Sequence, residues 1–174
     1  AQAAPGRVGA AGQGTMNNVI LSGTSGWVYY ETVGGGQGGR PGGRAGMNGV
    51  HTAMTNTADT PTEALERSIP VRVLRYRLRR GSGGTGAAPG GDGIERVIQV
   101  LEPSTASIIT ERRVSRPWGL EGGGAGQPGE NWLWPGGDEA VRRPLLDKMT
   151  LALAAGDAIQ LLTPGGWCYG AVPG

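Results

Sequence analysis

The sequence predicts a mainly β chain with one short helix, an α+β arrangement. An N-terminal hairpin and a large glycine-rich loop precede an antiparallel, β-sandwich-like C-terminal half. Three observations carry this reading. Short runs rich in β-branched and aromatic residues alternate apolar and polar side chains with a period of about two. Glycine-dense stretches separate those runs. A single segment carries the start signal of a helix.

Taken in order, Ala1 to Gly14 is small and glycine-punctuated and reads as an extended entry segment. Met16 to Leu21 is a short strand, and Ser22 to Gly26 is a turn by composition. Trp27 to Val33 is a second strand that pairs back as a hairpin. The loop that follows opens on Gly34-Gly35-Gly36 and runs to about Gly49. Thr60-Pro61-Thr62-Glu63 predicts a helix over Pro61–Arg67: Thr60 caps it, Pro61 suits the first position, and Pro70 stops it. From Val71 the period becomes two, with Arg72, Arg75, Arg77 and Arg79 between apolar residues; a slip at Val73-Leu74 predicts a β-bulge. These arginines read as a solvated strand face, or as a salt-bridged one at an interface.

Gly81 to Gly93 is a second glycine loop. Ile94–Leu101 and Thr105–Val114 are strands joined at Glu102-Pro103-Ser104. Arg116 to Gly137, with Trp118, Trp132 and Trp134, reads as a third loop. Lys148–Leu153 and Ala158–Leu162 are the last strands, around a turn at Ala155-Gly156-Asp157. The expected organisation is therefore 1–70 as hairpin, loop and helix forming a site or interface region, and 71–174 as an antiparallel β-rich region.

The 174 residues are enough for one domain or two small ones and can bury a real core. A net charge of +2 is too mild to argue for nucleic acid. No run approaches the roughly 18 apolar residues of a membrane span, and no basic segment followed by an apolar one marks a signal peptide. Cys168 alone excludes an internal disulfide and fits a reducing, cytoplasmic compartment. The chain begins Ala1-Gln2, as expected of a processed chain or of a piece of a longer polypeptide.

The chemistry concentrates between Glu31 and Thr57. Each glycine costs roughly 0.5–1 kcal/mol of ordering relative to Ala in a regular element. Thirty-five of them therefore imply unusual backbone, or backbone brought close to a ligand, a partner or another loop. Gly34 to Gly39 followed by Arg40 and Arg44 suits an anion cradle built from backbone N–H groups. The bland alternative is a loop ordered by packing. His51, the lone histidine, suits a general base or one metal ligand completed elsewhere, or a plain hydrogen-bonded loop residue. Thr55, Asn56, Thr57 and Asp59 offer oxygen and amide groups for positioning a substrate, although such clusters commonly cap and turn. Nothing at fixed spacing activates Cys168 as a nucleophile.

Several separated blocks together resemble the C-terminal part of the hydantoinase B/oxoprolinase family. They are PGRVGAAGQGTMNN (5–18), YYETVGGGQGGRPG (29–42), GVHTAMTNTADTPTEALE (49–66), RYRLRRGSGGTGAAPGGDG (75–93), ERRVSRPWGLEGGGAGQPG (111–129) and LAAGDAIQLLTPGGWCYG (153–170). Their common order makes the likeness stronger than any one motif. Two departures stand out. Ala53 replaces the second histidine of the family's HTHMTNT, and Trp167-Cys168 interrupts its closing glycine run.

The resemblance implies part of an ATP-dependent amide-ring-opening hydrolase of hydantoinase or 5-oxoprolinase type. It implies a hydantoinase A-type subunit that handles ATP and phosphorylates the substrate oxygen, and a missing N-terminal hydantoinase B part, in a hetero-oligomer. ATP and a divalent metal are expected elsewhere in that complex, with no cofactor bound by this chain alone. The expected site residues are His51 as catalytic, and Gly34, Gly35, Gly36, Arg40, Thr55, Asn56 and Thr57 as substrate-binding. By itself the chain is expected to be inactive. Two alternatives stand beside this reading: a subunit of a related ATP-dependent ketone carboxylase, and a non-catalytic assembly module.

Overall fold

The computed structural model describes residues 3–4, 6–52, 54–115 and 119–171. Its strands are β1 (Asn17–Gly23), β2 (Val28–Thr32), β3 (Val71–Arg79), β4 (Gly93–Val100), β5 (Ser104–Thr110), β6 (Glu130–Trp134), β7 (Arg143–Pro144), β8 (Lys148–Leu153) and β9 (Ala158–Leu162). One α-helix, α1 (Thr62–Ser68), joins β2 to β3 by way of the long glycine-rich loop. The strands form a four-stranded sheet, β2-β1-β5-β8, and a five-stranded sheet, β3-β4-β9-β6-β7. Every pairing in both sheets is antiparallel. The N-terminal hairpin therefore does not stand apart: β1 pairs along its whole length with β5, from Asn17↔Thr110 to Gly23↔Ser104.

Period-two alternation decides which side chains meet between the sheets. Val19 and Leu21 of β1, Ala106 and Ile108 of β5 and Leu153 of β8 are buried against Val71, Ile94, Ile98, Val100, Ile159 and Leu161 of the other sheet. Burying one such aliphatic side chain stabilises the fold by about 1.5–3 kcal/mol, so this shared core dominates. A smaller apolar cluster, Val97, Trp134 and Ala158 with Trp132 against it, covers the opposite face of the five-stranded sheet.

Most elements lie where alternation puts them, and β8 and β9 have the predicted limits. The bulge in β3 falls between Val73 and Arg75, where the register shifts against β4. The shift sends Arg75 and Arg77 to the Glu95 side, at 3.0 and 2.6 Å from its carboxylate, while Arg79 reaches Glu130 at 2.7 Å. Those strand arginines are paired within their own sheet. Burial pushes the Glu95 carboxyl up, but Arg77, Arg75 and Gln160 outweigh it and hold it below the ordinary carboxylate range.

Three local expectations need correction. The stretch read as a loop at 116–137 contains β6, which lies between β9 and β7. Its five residues are flanked by Gly129 and Pro135, and pairing with β9, not propensity, makes it a strand. Trp118 lies outside the described residues. The cap of α1 is Pro61 with no side-chain hydrogen bond, so the helix begins one residue later than predicted and Thr60 does not cap it. The predicted strand Thr105–Val114 stops at Thr110, since Arg112 takes a left-handed φ of 55°.

The glycine loops are stacked on one another. Gln13 N–H donates to the Gly36 carbonyl (2.9 Å), Gly36 N–H to Pro164 (3.0 Å), and Gly39 N–H to Trp167 (2.8 Å). Gly91 N–H donates to Gln37, Gly166 N–H to Gly91 and Gly84 N–H to Gly166, each at 2.8 Å. Extended segments thus lie side by side at backbone contact. A methyl group on Gly38 would sit 1.9 Å from the Ala10 carbonyl, and one on Gly166 would sit 1.9 Å from that of Gln37. Of the partners the sequence left open for these glycines, another loop is the one the structure shows. Trp167 is fully buried within this bundle and Cys168 is a buried free thiol.

Candidate functional site

Residues from four separate stretches surround a polar cleft of about 670 Å³. Gly6 to Thr15 forms one wall, Gln37 to Arg44 a second, and Thr52 with Glu111 and Arg112 the rest. The bundle positions the first two walls: Ala10 N–H donates to Gly39 and Gln13 N–H to Gly36, which ties the entry segment to the glycine loop. Arg112 lies over the buried ring of Trp167, 5.1 Å from its centroid. The charged lining is Arg7, Arg40, Arg44 and Arg112 against Glu111.

Glu111 is already engaged. Its Oε2 accepts from the Thr15 hydroxyl at 2.6 Å and from the Thr15 amide at 2.7 Å. Those two bonds, the hydroxyl first, hold its carboxyl below the ordinary range. A depressed folded value means the carboxylate stabilises the fold above the unfolded value, and that contribution is lost as pH falls through the folded value. Thr15→Val is therefore expected to lower the denaturation midpoint at neutral pH and to flatten the loss below about pH 4. Equal acid limbs in urea titrations of the two proteins would count against this.

His51 sits next to the cleft-lining Thr52 and is largely covered. Its Nδ1 is 3.0 Å from the Thr55 hydroxyl and its Nε2 is 3.3 Å from that of Thr57. The Asp59 carboxylate is 3.7 Å from Nε2, and its Oδ1 is buried without a hydrogen-bond partner. One carboxylate and two hydroxyls thus orient a single imidazole, an arrangement suited to moving a proton.

Within electrostatic reach of Asp59 lies a buried charged pair. Arg96 Nη1 is 2.9 Å from Glu31 Oε1, with Arg96 fully buried and the Glu31 side chain 5% exposed. Burial raises the Glu31 carboxyl, opposed by Arg96, while the charge of Asp59 adds to the rise. The Tyr29 phenol, on the same face of β2, is raised by burial and by the Glu31 charge.

The structure brings His51, Thr55 and Thr57 together and sets Arg40 on the cleft wall. Asn56 is exposed beside them. Gly34, Gly35 and Gly36 are buried, against Gly49 and Val50, Gln13, and Gly91 with Gly165 and Gly166 respectively. Ala53, which stands where the family has its second histidine, lies outside the described residues. Sequence reasoning missed Glu31 and Arg96. Their signal was present: Arg96 shares the inward phase of Ile94, Ile98 and Val100, and Glu31 that of Tyr29 and Val33. It also missed Arg7 and Arg112 as partners of Arg40 and Arg44, for which nothing local gave a signal. Among the described residues, no three His, Cys, Asp or Glu side chains gather as a metal site, so these residues do not fit a divalent metal. No helix of the described residues is long and apolar enough to cross a membrane.

Comparison with known proteins adds identity to this geometry. Residues 1–172 match the family model described as hydantoinase B/oxoprolinase. A 5-oxoprolinase of Arabidopsis thaliana is 44% identical over 161 residues, covering 92% of this chain and 12% of that protein. Among solved structures, the ATP-dependent caprolactamase from Pseudomonas jessenii matches with a TM-score of 0.77 at 22% identity, over 98% of this chain and 31% of that one. An acetone carboxylase structure matches with a TM-score of 0.67 at 18% identity, over 94% and 26%. The chain thus spans less than a third of each of these proteins.

Proposed function

The chain belongs to the hydantoinase B/oxoprolinase family, and from that premise we propose that it supplies part of the substrate side of an ATP-dependent amide-ring-opening hydrolase. The observation that supports this most is convergence. Blocks carrying the family resemblance, far apart in sequence, meet at one cleft whose wall is continuous with the His51 group. In this reading the nucleotide is handled by a hydantoinase A-type partner. The remaining hydantoinase B part provides any divalent metal, whose ligands the described residues here do not furnish.

This chain's own contribution is positioning and proton movement. His51, held by Thr55, Thr57 and Asp59, takes or returns a proton at the substrate. Asn56 and the threonine hydroxyls orient the amide, and Arg40 faces the negative charge that develops on its oxygen. Gly34, Gly35 and Gly36 act through the backbone, fixing the loop that carries Arg40.

His51→Ala in the assembled enzyme is expected to lower ATP-dependent ring opening about 100-fold or more, the usual range for a general acid–base group. Asn56→Ala is expected to raise KM more than it lowers kcat. Native mass of the complex is read alongside. Unchanged turnover, or turnover lost only because the complex falls apart, would remove His51 from the chemistry and leave this chain as an assembly module.

A further inference from the structure

The four-stranded sheet has an outer face almost without charge. Alternation sends Val19, Leu21, Ala106, Ile108 and Leu153 inward and their chain neighbours outward. The register sets those neighbours in three rows across β2, β1, β5 and β8. Val28, Ser22, Thr105 and Ala152 make the first row, and Tyr30, Ile20, Ser107 and Thr150 the second. Thr32, Asn18, Ile109 and Lys148 make the third, and Lys148, at its corner, is the one charged residue on the face. Asn18 and Thr32 are buried; the rest of the face is half-buried or exposed, with Val28 at 70%, Tyr30 at 57% and Ile109 at 43%. The outside of the five-stranded sheet differs: there Arg75 and Arg77 meet Glu95, and Arg75 lies 4.9 Å from the centroid of the Trp134 ring. A surface left in water ordinarily mixes charges of both signs. Depletion of charge around an aromatic side chain is the composition of an interface core.

The polar groups of this face are prepared for loss of water. The Thr32 hydroxyl donates to Asn18 Oδ1 at 2.9 Å, so the Tyr30 hydroxyl, 3.0 Å from Thr32 Oγ1, donates to it. The Ser107 and Thr150 hydroxyls are bonded to one another at 2.8 Å. Covering the middle of the face therefore strands none of these groups.

Size selects the kind of occupant. Four strands about 4.8 Å apart, each about six residues long at about 3.4 Å per residue, make a face of about 20 Å by 20 Å, on the order of 400 Å². A stable interface between separate molecules takes about 800 Å² from each. The face alone is thus too small to hold a second copy, and with so little charge it does not steer a diffusing partner. It matches one or two helices about 10 Å wide and about four turns long, a layer that commonly covers one side of an antiparallel sheet. Ser22, Thr105, Ser107 and Ala152 are small and lie beside the larger Val28, Tyr30 and Ile109, which leaves a trough for helix side chains. The relatives carry more than two-thirds of their length outside the matched region, ample chain for such a layer.

We propose that the outer face of the β2-β1-β5-β8 sheet packs against an amphipathic helix of the remaining hydantoinase B part, through a stripe of apolar and uncharged side chains. The proposal rests on the reading that such a part works with this chain.

The test compares the assembled enzyme with the 174-residue chain alone. In hydroxyl-radical footprinting, modification of Tyr30 is expected to fall at least fivefold on assembly. Lys148 is the only lysine, so an amine-reactive cross-linker reports the neighbour of this corner, expected to be the remaining hydantoinase B part. Val28→Glu and Thr105→Lys alter exposed positions. As isolated chains they should keep the parent's urea midpoint, while their yield in the native complex falls at least tenfold. Footprinting needs no variant and decides the matter even if one misfolds. An unprotected Tyr30 in an intact assembly, or variants that assemble like the parent, would overturn the proposal and leave the hydrolase reading standing. A Lys148–Lys148 link, which requires two copies, or a link to the hydantoinase A-type subunit would overturn it in favour of that occupant. A native mass without any further hydantoinase B polypeptide would remove the reading on which the proposal rests, and the proposal with it.

Discussion

Arg96→Met is expected to destabilise the fold by about 3–5 kcal/mol at neutral pH, the cost of stranding one member of a buried ion pair. Arg96 is fully buried between the sheets, 2.9 Å from the Glu31 carboxylate, and lies 4.6 Å from the centroid of the Tyr76 ring. Methionine keeps much of the packing and removes the charge. Glu31, whose carboxyl burial already raises against the pull of Arg96, would then rise further.

The sign of the pH effect follows. A carboxyl raised in the folded state holds its proton there when the unfolded chain has lost it. Stability therefore falls as pH rises from the ordinary carboxylate value toward the folded one. Without Arg96 that window extends upward, so the deficit of Arg96→Met should grow as pH rises above the ordinary carboxylate range. Glu31→Leu/Arg96→Met should recover most of the loss, because replacing both charges with apolar groups removes the stranded ion. Urea midpoints of the three proteins at two pH values decide it. A single variant within about 1 kcal/mol of the parent would show that water reaches this pair.

Gly166→Ala and Gly38→Ala should have the next largest effect, at or beyond the 1–3 kcal/mol typical of overpacking. In each the new methyl meets a backbone carbonyl at 1.9 Å, and that carbonyl belongs to a segment tied on its far side by other backbone hydrogen bonds. A flexible side chain could move aside; a stacked peptide unit cannot. Gly6→Ala, with nothing within 4 Å and no positive φ, should be close to neutral. Gly42→Ala also meets open space, but its φ of 76° predicts a loss of about 1 kcal/mol. Thermal melts of the four variants would rank them. Equal, small losses in all would mean the stacked segments yield easily.

The fold was largely legible from particular residues. Val19 and Leu21, or Ile94 and Ile98, announce a half-buried strand through alternation alone, and the Val73-Leu74 slip announces the bulge. What stayed hidden has a physical reason in each case. Glu130 to Trp134 has no strong local preference and is a strand because β9 lies beside it. Thr60 has the chemistry of a cap, but the helix starts at Thr62 behind Pro61 and no side chain caps it. In the site, His51, Thr55 and Thr57 were legible because they are within seven residues of one another. Arg7 and Arg112 were not, since nothing in the sequence relates positions more than a hundred residues apart.

The sequence by itself determined the class of fold, the limits of most strands and the family, because alternation, turn residues and ordered motif blocks are local or additive signals. Only the tertiary structure decided what the glycines are for. Their missing side chains let separate loops lie against one another at carbonyl contact. For stacked glycines such as Gly36, Gly38, Gly91 and Gly166 the partner is another loop, fixed by the closure of two sheets around one core. The arginines of the cleft, Arg7, Arg40, Arg44 and Arg112, belong to the same decision. Each is an ordinary surface residue along the chain, and they become a cleft only where the stacked loops bring them to one wall.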